Sequence, residues 1–429
     1  MGKMGKGKQG VGDSNMESEL RVVYVIGTYP LLTTTFIDRE IETLLRWGVD
    51  IEIIAMRRPD PSTPLTVAQL QLSGRTRYVL PPSWGRLASS MAYFSIRRPG
   101  RLSSTFFRIV SRPHPSIRSR LKSILHFFEG VVTAGMVRRT AFDELHAHFA
   151  DRAATVALVA GRLLDKPFSL SIHTGADIYV EPILLREKLE AARSVATCTE
   201  LNRTHLARFV SDEVLAKVRH VRHGLDLDRF SPPQSMPAEP PMLLSVGQLK
   251  PRKGILDLID ACAILRNGGY RFTCEIVGDG PQRPQIEALI DRHDLRDVVK
   301  LLGARSQDEV LSRYRDASIF VLPCIEAVDG DVDGIPNVLA EAMAVGVPVV
   351  STSLRAVSEL VVSEQNGLLT PPGAPAALAT AVIRLLEDAA LRRRLGLAGR
   401  ATVLESFDIN QNIERFASTL WPGRVQVSS

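Results

Sequence analysis

The chain is predicted to fold as two doubly wound α/β domains, each a parallel sheet with helices on both faces, set opposite one another across a cleft. Three observations predict it. At 429 residues the chain exceeds the size at which one hydrophobic core keeps growing. From Arg21 onward, short β-rich runs alternate with helical patterns, the signature of a parallel sheet. A run with five prolines, Ser231 to Pro241, divides the alternation into two series; proline fixes φ and removes a donor, so this run is a linker.

Taken in order, the first series of expected strands is Arg21–Ile26, Asp50–Ile54, Arg77–Leu80, Leu145–His148, Ser169–Ile172, Val195–Thr197 and Val218–Val221. The second is Met242–Val246, Phe272–Val277, Val298–Leu302, Ile319–Leu322, Pro348–Val350 and Gly367–Leu369. The expected domains are 21–230 and 242–407, with a disordered tail over 1–20, a linker over 231–241, and a C-terminal helix within 408–429 that has no strand after it and is a candidate to pack back on the first domain. Doubly wound sheets bind ligands beyond the carboxyl ends of their strands, which places the expected site between the domains.

Composition narrows the class. The chain is 45% hydrophobic and 23% charged, as in globular proteins. No apolar run reaches the roughly 18 residues that span a bilayer, and the start lacks the apolar stretch of a secretory signal, so a cytoplasmic location is expected. Cys198, Cys262, Cys274 and Cys324 stand singly, without the spacing of a zinc site or a disulfide framework. The formal charge of +6 is concentrated between Pro82 and Thr140, where eleven Lys or Arg face one acid, Glu129.

The most informative stretch is DGIPNVLAEAMAVGVPVVST, Asp333 to Thr352. A Gly-Ile-Pro turn leads into a helix, expected over Val338–Ala344, whose free amides and dipole form an anion site. Asp333 before the helix and Glu341 within it can face one cleft and accept hydrogen bonds from sugar or ribose hydroxyls; the alternative is a capping acid and a solvated helix residue. The run Asp329 to Gly334 matches the opening of a calcium loop, but the twelfth position is Ala340 where a Glu is needed, and a helical segment follows. Upstream, VGQLKPRKG from Val246 gathers Lys250, Arg252 and Lys253 at a strand-to-helix turn, suited to a diphosphate or to plain solvation. Gly278-Asp279-Gly280-Pro281 is a second tight turn at a strand end. In the first half, His146 and His148 share one face of a strand, as metal ligands or satisfied core histidines, and His173 ends the next strand at a cleft position.

Together these motifs resemble the family-4 retaining glycosyltransferases, and among them bacterial enzymes of exopolysaccharide or colanic-acid assembly. The matching stretches are TYPLLTTTFIDREI from Thr28, HAHFA from His146, SIHTGADIY from Ser171, HGLDLDRF from His223, VGQLKPRKG, VGDGP from Val277, the segment from Asp329 to Thr352, and NGLL from Asn366. The resemblance implies two Rossmann-like domains in the GT-B arrangement, the first binding acceptor and the second the nucleotide-sugar donor. It implies that Glu341 holds the ribose, that Asp333 contacts the donor sugar, that Lys253 neutralises the diphosphate and that His173 stands beside the reacting centre. Gln248, Gly278, Gly334, Ile335, Pro336 and Asn337 complete the implied donor site, and Thr34, Thr35, His148 and Asp177 the acceptor side. No metal or other cofactor is implied. Two positions depart from the family pattern: Asp333 stands where Glu is common, and Gln248 replaces a phosphate-binding arginine.

The expected function is thus transfer from a nucleotide-sugar to a saccharide or polyprenyl-linked saccharide. The rivals are a same-fold epimerase or phosphorylase, and a two-lobed sugar-binding protein. The basic region 82–140 is interleaved with Trp84, Tyr93, Phe94, Phe106, Phe107, Phe127 and Phe128. It is read as a surface for the inner face of the membrane or as ordinary helices with aromatics in the core; nucleic acid is not the expected partner.

Overall fold

The computed structural model describes residues 20–61, 63, 65–173, 176–232 and 239–425. Most of the expected tail and linker, residues 1–19 and 233–238, therefore lies outside the described residues.

Among the described residues, thirteen strands form two parallel sheets. The first contains β1 Arg21–Thr28, β2 Asp50–Arg57, β3 Thr76–Tyr78, β4 Glu144–His148, β5 Phe168–Ile172, β6 Val195–Thr197 and β7 Val218–His220. Its order is β3-β2-β1-β4-β5-β6-β7. The second contains β8 Met242–Val246, β9 Thr273–Val277, β10 Val299–Gly303, β11 Ile319–Leu322, β12 Val349–Thr352 and β13 Leu368–Thr370, ordered β10-β9-β8-β11-β12-β13. In each sheet the order reverses beside the first strand, which opens a crevice at the carboxyl ends of that strand and its neighbour. The fold is that of two doubly wound α/β domains.

All thirteen strands fall where hydrophobic runs place them, and the shifts at their ends have backbone causes. β3 is assigned only to Tyr78, although Val79 and Leu80 still donate to the carbonyls of Ala55 and Met56; Pro81, with no N–H, stops the pairing. Pro348 likewise precedes β12 and serves only as an acceptor, for Phe320 N–H. Inner strands are buried on both faces, as expected of a parallel sheet covered by helices: β8, β11 and β12 show no half-exposed residue, whereas the edge strands β7 and β10 carry exposed ones. The helix Asn337–Val345 ends at Gly346, whose φ of 85° suits only a residue without a Cβ.

The basic region forms three helices, Trp84–Arg97, Pro99–Ser111 and Ile117–Val137, packed on the first sheet. Its aromatics divide. Phe94 and Phe127 are core, and Tyr93, Phe106 and Phe128 pack against that core. Trp84 and Phe107 stay 77% and 67% exposed, with Ile96, Ile117, Leu121 and Leu125 also on the surface.

The C-terminal helix Ile409–Leu420 crosses back to the first domain. Leu225 N–H donates to Phe407, and Ile409 N–H donates to Leu225. Ile409, Ile413, Phe416, Ala417, Leu420 and Trp421 then join Val22, Tyr24, Ile37 and Ile41 in one cluster.

Candidate active site

The carboxyl ends of both sheets frame a cleft of about 500 Å³. The turn after β8 brings Gln248 and Lys253 to its wall, and the loop after β11 brings Asp333 to Pro336. Gly278 follows β9 at φ 139°, and a Cβ there would stand 1.8 Å from the carbonyl oxygen of Gly247, so only glycine lets the two turns meet. Helix Asn337–Val345 starts at this wall, directing its free amides and positive dipole end into the cleft.

Electrostatics tie these groups together. Lys253 Nζ lies 2.8 Å from Asp333 Oδ2, and Arg252 Nε 2.9 Å from Asp333 Oδ1, while the other end of Arg252 pairs with Asp331. One guanidinium between two carboxylates opposes a dication at the same acids. On the helix, Glu341 accepts from Tyr314 at 3.2 Å and, across the cleft, from Arg39 Nη2 at 3.0 Å. Burial and the facing Glu341 hold the Tyr314 hydroxyl well above the usual phenol range, so it remains a donor. Glu341 is thus already satisfied by protein, and a ligand hydroxyl reaches it only by displacing one of these donors.

The opposite wall belongs to the first domain. Thr34 and Thr35 line it beside Phe36, where Thr34 is buried and Thr35 Oγ1 accepts from Arg39. His173, 7% exposed, is wedged against Phe36 and Phe149 at ring-centroid distances of 4.5 and 4.8 Å. His148, expected on the acceptor side, has no exposed surface and does not line the cleft. It lies behind His173 because alternation along β4 points it into the core. Asp177 sits in the short helix Ala176–Tyr179, and its side chain lies outside the described residues.

A row of hydrogen-bonded side chains runs through His173 from one domain to the other. His148 Nδ1 is 3.0 Å from His173 Nε2, His173 Nδ1 is 2.8 Å from His223 Nε2, and His223 Nδ1 is 2.9 Å from Asn337 Oδ1. At the far end His148 Nε2 is 3.2 Å from Glu40, out of line for a full hydrogen bond, and Glu40 also accepts from Tyr24 at 2.7 Å. Burial, and then the neighbouring rings, push His173 well below the usual imidazole range; burial takes His223 down to about 4. Neutral rings donate from one nitrogen only. The row is therefore satisfied only when every ring donates in the same direction along it.

Two groups of side chains have metal-ligand proximity among the described residues: His173, Cys198 and His223, and Glu40, His146 and His148, each with ligand atoms within 4.8 Å of one another. Their chemistry suits hydrogen bonding better. His146 bonds Ser169 at 2.9 Å and Ser171 at 3.0 Å through its two nitrogens, a satisfied core histidine. Burial pushes the Cys198 thiol up to about 12, away from the thiolate a metal needs.

Four residues in and around the cleft were not singled out from the sequence: Arg39, His223, Arg305 and Tyr314. Arg305 follows β10 and lines the cleft, a cation on the wall where Gln248 has none. Position alone could have flagged His223 and Arg305, because both follow the carboxyl end of a strand. Arg39 and Tyr314 carry no such signal.

Comparison with known proteins accords with this geometry. A family model described as glycosyl transferases group 1 matches residues 228–402. The putative colanic acid biosynthesis glycosyltransferase WcaL of Escherichia coli K12 is 30% identical over 370 residues, covering 84% of this chain and 89% of its own. The amylovoran biosynthesis glycosyltransferase AmsK of Erwinia amylovora is 30% identical over 408 residues, covering 92% and 97%. This chain is a group 1 glycosyltransferase. Solved structures share the fold of this glycosyltransferase at low identity. HepE of Anabaena, in complex with UDP and glucose, has a TM-score of 0.68 at 16% identity and covers 94% of this chain and 99% of its own. Sucrose-phosphate synthase of Thermosynechococcus elongatus has 0.67 at 20%, covering 93% and 98%.

Proposed function

We propose that this glycosyltransferase is a retaining, metal-independent hexosyltransferase that moves a sugar from a nucleotide-sugar to a saccharide or polyprenyl-linked saccharide in exopolysaccharide biosynthesis. The observation that carries this reading is the pairing of walls: Lys253 and the start of helix Asn337–Val345 on one side, His173 on the other. The names of the two relatives, which cite colanic acid and amylovoran biosynthesis, support the polymer class.

In this reading the diphosphate lies against the helix start and Lys253, and Glu341 exchanges Arg39 for the ribose. The bond between the anomeric carbon and the diphosphate oxygen breaks, the acceptor oxygen bonds the same face, and its proton passes to the leaving diphosphate. Charge grows on the diphosphate, so preorganised donors there lower the barrier. Asp333, held between two cations, is suited to a sugar hydroxyl rather than to attack. His173, neutral at physiological pH, has both nitrogens engaged by His148 and His223, so it borders the reacting face through its ring and is held there by that row. The exposed apolar and basic face of the three helices after β3 is proposed to rest on an anionic membrane surface that carries the acceptor.

The test combines UDP-, GDP- and ADP-sugars with saccharide acceptors in EDTA and reads the product's anomeric signal by NMR. Transfer in EDTA with the donor's configuration is expected. Loss of transfer restored by Mn²⁺, or an inverted product, would sink the proposal.

A further inference from the structure

Away from the cleft, the helices Pro99–Ser111 and Arg152–Leu164 and the start of β5 line an open cavity of about 640 Å³. That volume is in the range of small-molecule sites. Its charge is lopsided. Arg101, Arg108, Arg162 and Lys166 line it against two acids, Asp165 and Glu190. Both acids have partners: Asp165 pairs with Arg101 at 2.8 Å, and Glu190 with Arg186 at 2.8 Å. Lys166 donates to the carbonyl of Phe142. Arg108 and Arg162 are left without a carboxylate among the described residues.

Two polar atoms of the wall are shielded from solvent and lack a hydrogen-bond partner, Arg162 Nε and Thr105 Oγ1. A buried donor left unmade costs about 1–3 kcal/mol, and native structures seldom leave one without cause. Burial and then the adjacent Arg108 depress the Arg162 pKa, the mark of cations held close without an anion between them. A phosphoryl group brings the missing charge together with several acceptor oxygens.

We propose that this cavity is a binding site for a phosphate-bearing anion, held by the guanidinium groups of Arg108 and Arg162. The site is separate from the donor cleft and does not depend on the reaction proposed there. A soluble phosphate ester and a lipid headgroup share this chemistry; Phe107, exposed next to Arg108, puts a bilayer within reach of the same helix.

Thermal shift with inorganic phosphate tests it in four proteins: wild type, Arg108→Ala, Arg162→Gln, and Lys253→Ala as a control for phosphate in the donor cleft. Phosphate is expected to raise Tm in wild type and Lys253→Ala, with at least half the rise lost in the other two; Arg108 is exposed, so its removal leaves the fold intact. In parallel, vesicles of phosphatidic acid and of phosphatidylglycerol at matched surface charge are compared by co-sedimentation. Preference for the phosphomonoester lipid, lost in Arg162→Gln, identifies a headgroup; phosphate protection without that preference identifies a soluble ester. Protection equal in all four proteins, or neither protection nor preference in wild type, overturns the site.

Discussion

Lys253 and Glu341 both sit in buried ion pairs, yet they should fail differently when replaced. Lys253→Ala leaves Asp333 its bond to Arg252, so the fold tolerates the change, while the leaving diphosphate loses a cation. Turnover should fall by roughly 10²-fold, as for loss of one donor to a developing charge. Glu341→Gln keeps an oxygen for Arg39 and should mainly raise the donor KM, because ribose contacts are alike in ground and transition states. Steady-state kinetics on both variants, normalised to the folded fraction, checks this; a KM effect for Lys253→Ala and a turnover effect for Glu341→Gln would reverse the roles. The resemblance of their motifs to a known family singled these two residues out, where spacing alone left them open. Arg39 was hidden, because its partner lies 302 residues away and only folding brings them together.

At the scale of elements, strand and helix positions follow from local patterns of hydrophobic runs, prolines and glycines, and these the chain displays openly. Facing is harder to read. The basic helices place Phe94 and Phe127 inside and leave Ile117, Leu121 and Leu125 as an exposed stripe, four residues apart on helix Ile117–Val137 and flanked by Arg118 and Arg120. A single helix with apolar residues all round does not say which of them meets the sheet. That stripe should bind anionic membranes. At about 1 kcal/mol per basic residue, removing Arg118 and Arg120 together should weaken binding to anionic vesicles roughly 30-fold. Co-sedimentation at low salt measures it; equal binding by wild type and the double variant, or none by wild type, rules the stripe out as the membrane contact.

At the scale of the whole molecule, the two domains are joined by the cleft contacts and by the returning C-terminal helix. Glu359 of the second sheet's domain accepts from the N–H groups of Glu200 and Leu201 at 2.9 and 2.8 Å, supplying negative charge at the start of helix Glu200–Leu206 in the first. Phe416, buried against His146 and Trp421, anchors the C-terminal helix to the first sheet. Phe416→Ala should cost about 3–5 kcal/mol of stability. A chain ending at Phe407 should expose Val22, Tyr24 and Ile37 and lose solubility. Urea denaturation with an unchanged midpoint in Phe416→Ala would show that the helix is not a structural strap.

The sequence by itself determined the two series of strands, the turns that end at the cleft, and the run from Asp333 to Glu341 that starts a helix there. Each is set by interactions between residues near in the chain: hydrophobic period, proline and glycine geometry, and free amides at a helix start. Only the tertiary structure decided that His148 stands behind His173, that Glu341 is held by Arg39, that His223 reaches Asn337, and that Arg108 and Arg162 share one cavity. Those pairings join neighbouring strands, the two domains or separate helices, and their energies depend on burial and distance, which no local pattern encodes.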